Sequence, residues 1–117
     1  MEHVPTTSRP TLWNRDAALA RLGNNAALLE KIVAMFLEQI TNKLSSLQEA
    51  VNANDADNIR FVSHAIKGIS GDVGAEALHY EASYLEDRAR SGNIDNIDVE
   101  FKSLITTVNN TITAMKA

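Results

Sequence analysis

The 117-residue sequence contains no cysteine, which excludes disulfides, a thiolate nucleophile and cysteine-ligated metal, and suits a reducing compartment, the cytoplasm being the expected one. Proline occurs only at Pro5 and Pro10, so nothing after residue 10 interrupts a helix on that account. Aromatic residues make up only 5% of the chain, and no stretch alternates between apolar and polar residues as a half-buried strand does. The leading "MEHVPTTSRPTLWN" is polar, unlike a signal peptide, and no apolar run is long enough to span a bilayer, so no membrane contact is expected of this segment. A formal net charge of −4 leaves no basic footprint for nucleic acid. Phosphate-binding glycine loops of the P-loop and protein-kinase types are also missing, so the chain has no visible means of using a nucleotide. Internal repeats and low-complexity segments are absent too.

What is present favours helices. Hydrophobic residues reach 44%, mostly Ala, Leu and Ile, and a chain of this length forms one domain that removes about two thirds of its unfolded surface from water. Residues 1–11 read as a linker or loosely tethered tail, with the domain over 12–117. A short helix is expected from Asn14 to Leu22, stopped by Gly23. From Ala26 to about Asn52, Leu28, Leu29, Ile32, Val33, Phe36, Leu37, Ile40, Leu44, Leu47 and Val51 keep three- and four-residue spacings, which define a stripe to be buried. Asp55 caps a third helix reaching about Asp72, and Leu78, Ala82, Leu85 and Ala89 line a fourth, stopped at Gly92 and Asn93. A fifth starts near Asp95 and turns Ile97, Phe101, Leu104, Val108, Ile112 and Met115 inward. Short connections make neighbours antiparallel, so the expected fold is all-α: an antiparallel up-and-down four-helix bundle with a short additional N-terminal helix.

The third helix carries the chemistry. Its apolar stripe is Ile59, Val62, Ile66, Ile69 and Val73, and at about 100° per residue His64 falls on the opposite side, facing solvent or a partner. Glycine in a helix interior costs roughly 1 kcal/mol against alanine. Gly68 and Gly71, one and two turns after His64, therefore suggest that bare backbone is needed beside the imidazole. Lys67 and Arg60 flank the same face as cations for a phosphoryl group, and Phe61 and Ala65 offer apolar contact to a docking protein. An exposed imidazole is a competent nucleophile near neutral pH. With no nucleotide site here, the phosphoryl group would have to come from another protein. The residue one turn after His64 is Gly68, and no second histidine or carboxylate stands at helical spacing to complete a metal site.

The segment "HAIKGISGDVGA" resembles the active-site segment of histidine phosphotransfer (HPt) domains: His64, Ile66, Lys67, Gly68, Ser70, Val73 and Gly74 fit that pattern, and Ile69 departs from the small residue usual there. "DAALARLGNNAALLEKIVAMFLEQI" is similar to the family's first two helices and Leu78 to Glu86 to its fourth, so the resemblance covers about residues 14–115. It implies a phosphorelay intermediate in which His64 takes a phosphoryl group on Nε2 from a receiver-domain aspartate and passes it to another receiver. Lys67 would stabilise phosphate charge, Gly68 would leave clearance, and Arg60, Phe61, Ala65 and Gly71 would meet the partner. No cofactor is implied on this chain: the receiver would bring Mg²⁺ and most catalytic groups, in keeping with the absence of an acidic cluster near His64. The linker-like start suits the C-terminal HPt module of a bacterial hybrid sensor kinase, with the kinase core as a further partner and the isolated module a monomer. The alternative is a bundle that docks a receiver or kinase without accepting phosphate.

Other residues read as structural. His79 sits at a stripe edge without lysine or glycine partners, and His3 lies in the tail. Trp13 is expected over one end of the bundle, and the charges of "YLEDRAR" read as a solvated face with intrahelical pairs.

Overall fold

The computed structural model describes residues 10–117, whose regular elements are all helices: α1 (Arg15–Arg21), α2 (Ala26–Asn52), α3 (Ala56–Val73), α4 (Glu76–Arg90) and α5 (Ile97–Lys116). Three of them start where a short polar side chain can replace the missing helical acceptor. Asn14, Asn25 and Asp55 accept from the backbone N–H groups of Ala17, Leu28 and Asn58. The expected boundaries agree closely, except that α5 begins at Ile97 after a left-handed Asn96.

Each long helix packs against the next in sequence, and α5 returns to α2, which closes a four-helix ring with α1 against α2 and α3. The expected stripes supply the core: Phe36, Ile40 and Leu47 of α2, Ile59, Val62, Ile66 and Val73 of α3, Leu78, Ala82, Leu85 and Ala89 of α4, and Phe101, Leu104 and Val108 of α5 are buried. Leu28 is the exception on α2, being exposed. The buried faces are wider than their apolar letters, since Ser63, Ser70, Glu86, Thr107 and Thr111 are buried as well. Ser70 and Thr111 meet their hydrogen-bonding need within their own helices by donating to the carbonyls of Ile66 and Thr107.

The corner after α3 holds the functional helix in place. Gly74 ends α3 with φ of 81°, and a Cβ there would lie 2.6 Å from the Asn14 carbonyl oxygen, so both conformation and space require glycine. The leading segment crosses this corner: the Asn14 N–H donates to the Gly74 carbonyl at 2.8 Å, the Trp13 indole to that of Val73 at 2.9 Å, and the Asn14 amide to Glu76 at 2.8 Å. The Asn14 amide bond, with bonds from Thr11 and the charge of Arg21, holds the Glu76 carboxyl below its ordinary value against the opposing effect of burial. Thr11 is also tied in, donating to Glu76 and accepting from the Ala77 N–H, so the ordered domain extends back into what the sequence reads as tail. Residues 1–9 of that tail, His3 included, lie outside the described residues.

Candidate functional site

The third helix presents one exposed row: Arg60, Phe61, His64 and Gly68 are all exposed, Phe61 by 70%, with Ala65 half-buried beside them. The His64 side chain is 69% exposed, yet one of its nitrogens is not free. Its Nδ1 lies 2.9 Å from Oε2 of Glu86, a carboxylate on α4 whose side chain is only 4% exposed. Lys67 Nζ reaches Oε1 of the same carboxylate at 3.3 Å and Arg90 Nη2 reaches Oε2 at 2.9 Å. Three donors thus converge on one buried acceptor.

Glu86 corrects the sequence reading of "YLEDRAR" as a solvated face. Part of that reading stands, because Arg90 pairs within α4 with both Glu86 and Asp87, but Arg88 turns to Glu100 of α5 and Glu86 faces α3. Burial pushes the Glu86 carboxyl upward, and the hydrogen bonds from His64 and Lys67, with the charges behind them, outweigh that and hold it below its ordinary value. It is therefore ionised at neutral pH. An ionised carboxylate can only accept, so His64 Nδ1–H donates to it, and in the neutral imidazole the proton is then absent from Nε2. The ring is held in the tautomer that leaves Nε2 as the exposed lone pair.

The two glycines after His64 separate in role. At Gly68 an added Cβ would meet nothing within 4 Å, so the surface one turn beyond the imidazole is open. At Gly71 it would lie 3.2 Å from Nδ1 of His79, so this glycine, which the sequence assigns to the partner-facing surface, is half-buried against α4. The reason is that His64 leans toward α4, and the helix face below it turns into the α3–α4 contact. Lys67, half-buried, lies on the same side as Glu86, while Arg60 is exposed with no ion-pair partner among the described residues. No group of three His, Cys, Asp or Glu side chains is placed to hold a metal among the described residues, and no helix there is long and apolar enough to cross a membrane.

Comparison with known proteins places this arrangement. The chain is 28% identical over 74 residues to the phosphorelay protein LuxU of Vibrio cholerae, an alignment that takes in 63% of this chain and 66% of that one, just under two thirds of the relative's length. Its fold matches the crystal structure of histidine-containing phosphotransfer protein B (HptB) of Pseudomonas aeruginosa PAO1 with a TM-score of 0.82 at 20% identity, covering 92% of this chain and 94% of the other. Because the Hpt domain model matches residues 31–117, most of the sequence and all of the helix that bears His64, the chain belongs to the Hpt family of phosphorelay histidine phosphotransfer domains.

Proposed function

We propose that His64 is the phosphoacceptor and that this chain carries a phosphoryl group between receiver domains. The observation that supports this most directly is the buried Glu86 carboxylate on His64 Nδ1, which in the neutral imidazole selects the tautomer with its lone pair on Nε2, in a ring 69% exposed. In the forward step the Nε2 lone pair attacks phosphorus of a receiver's aspartyl phosphate. The N–P bond forms as the acyl P–O bond breaks, and the aspartate leaves as carboxylate. The second step is the same displacement reversed, with another receiver's aspartate as nucleophile.

Charge and space support the same reading. Lys67 can swing from Glu86 toward a phosphoryl oxygen, Arg60 adds a cation on the exposed side that has no ion-pair partner among the described residues, and Gly68 leaves room for the entering acyl phosphate. Phe61 and Ala65 give the receiver an apolar contact next to the imidazole. Mg²⁺ enters with the receiver, because the one carboxylate at His64 is already bonded to three donors. The domain works as a monomer in the cytoplasm, where receivers are found.

The test is to incubate the protein with a receiver phosphorylated on aspartate and look for acid-labile, base-stable label on this chain. Label is expected on the parent and absent from His64→Gln. Receivers that bind without transferring label would overturn the reading in favour of a docking bundle.

A further inference from the structure

We propose that His79 is a positioning residue for the phosphoacceptor, and that position 71 is glycine in order to admit it. The inference rests on the reading of His64 given above. His79 projects from α4 onto α3, where its Nδ1–H donates to the Lys67 carbonyl at 3.0 Å. A helical carbonyl already accepts the N–H four residues on, so this bond uses the second lone pair. The imidazole occupies the space that any side chain at position 71 would need: a Cβ there would be 3.2 Å from Nδ1 and 3.5 Å from Cε1 of His79. On the same turn Arg21 of α1 donates to the Gly71 carbonyl at 2.8 Å.

These contacts matter because of what Lys67 does with its other end. His79 grips the Lys67 backbone while Glu86, seven residues further along α4 and so about 10 Å away along the axis, grips the Lys67 ammonium and His64 Nδ1. The α4 helix therefore hydrogen-bonds this stretch of α3 at two points, and the first bond helps to set the separation of the helices at the second. Glu86 is buried and short of freedom to follow if that separation changes, and a hydrogen bond at 2.9 Å weakens when its groups part by a few tenths of an ångström. A histidine placed only to fill space would not need the Lys67 carbonyl, and phenylalanine would serve as well.

The experiment uses the unphosphorylated protein first. Imidazole ¹⁵N shifts of His64 report which nitrogen carries the proton, and transfer from a phosphorylated receiver is timed on the same samples. His79→Phe keeps the ring and removes the donor; it is expected to lower the share of the Nδ1–H tautomer of His64 and to slow transfer about 2- to 10-fold, the range for one lost hydrogen bond. His79→Gln, which can still donate, is expected to restore both in large part. If His79→Phe fails to fold, Gly71→Ala carries the test: alanine favours the helix itself, yet it must displace His79 and shift the His64 tautomer in the same direction. Parent-like His64 shifts and parent-like rates in either folded variant would overturn the inference and leave His79 a packing residue. A parent protein that takes no label from receivers would overturn the assignment of His64 instead, and the ring shifts would still decide the role of His79.

Discussion

Replacing Glu86 by glutamine keeps the shape of the side chain and removes its charge, and the structure shows why the amide cannot stand in for the carboxylate. Oε2 accepts from His64 and Arg90 and Oε1 accepts from Lys67. A glutamine oxygen turned toward His64 and Arg90 leaves its NH₂ against the Lys67 ammonium, donor facing donor. Turned the other way, the NH₂ faces His64 Nδ1 and favours the tautomer with the proton on Nε2, the nitrogen that must attack. A hydrogen bond to a charged partner contributes about 1 kcal/mol more than one between neutral groups, and exposure of the His64 ring screens part of that. The bias toward the Nδ1–H tautomer should therefore fall about 2- to 5-fold, and the rate of phosphoryl transfer with it.

Three measurements follow from the one variant. Ring ¹⁵N shifts of His64 give the tautomer ratio, and label transfer at pH 7 gives the rate. Unfolding between pH 7 and pH 3 gives the third, with a sign fixed by the carboxyl's lowered pKa. The stability Glu86 contributes is complete above the unfolded-state value of about 4.3 and is lost as pH falls through the lower folded-state value. The parent's advantage over Glu86→Gln should thus be full at pH 7 and shrink below about pH 4.5. Unchanged ring shifts and an unchanged rate in Glu86→Gln would refute the claim that this bond selects the nucleophile.

Gly68→Gln should separate folding from function, since glutamine raises helix propensity at an open position while its side chain covers the imidazole: thermal midpoint equal or higher, transfer slower by tenfold or about that. Gly74→Ala should do the opposite kind of damage, because φ of 81° and a Cβ 2.6 Å from the Asn14 carbonyl combine strain with overpacking; a loss of about 2–4 kcal/mol is expected, read as a fall in the urea midpoint. Glu81→Gln tests a half-buried carboxyl, which burial pushes up against the lowering effect of bonds from Thr107 and Ser103 and whose Oε1 is buried without a partner among the described residues. Its burial penalty grows as pH rises through the raised value, so the variant's stability relative to the parent should improve from pH 4 to pH 7. A constant difference would contradict this.

The helices were legible because their apolar letters recur at three and four residues and because Asn14, Asn25 and Asp55 stand where caps are needed. The exposed row around His64 was legible from the same geometry. Glu86 was not, because a carboxylate among Asp87, Arg88 and Arg90 looks solvated when each letter is judged by its own polarity. A signal was nevertheless there: Glu86 follows Ala82 by four residues and precedes Ala89 by three, which puts it on the buried stripe. Ser63 and Ser70 follow Ile59 and Ile66 by four in the same way, and both are buried. The contact of Gly71 with His79 was hidden for a different reason. The direction of Gly71 along α3 is close to that of His64, and only the approach of α4, carrying His79, turns that direction inward. Contacts between helices have no periodicity within either one.

A residue that must meet two different partners has to be exposed, and an exposed side chain is ordinarily free to rotate. Ordering it costs conformational entropy that surface contacts rarely offset. Here the conflict is resolved by burying the acceptor in place of the proposed nucleophile. Glu86 is 4% exposed and fixed by the α3–α4 contact, so it can hold one nitrogen of an imidazole that remains 69% exposed. The ionised carboxylate is tolerated in that position only because His64, Lys67 and Arg90 all bond to it, two of them from the helix that bears the site. Two of the three donors that make burial possible, His64 and Lys67, are therefore also the groups proposed to carry the chemistry. Transfer should accordingly respond to changes in the α3–α4 contact that never touch a receiver, and tolerate changes on α5 that cost as much stability but leave that contact intact.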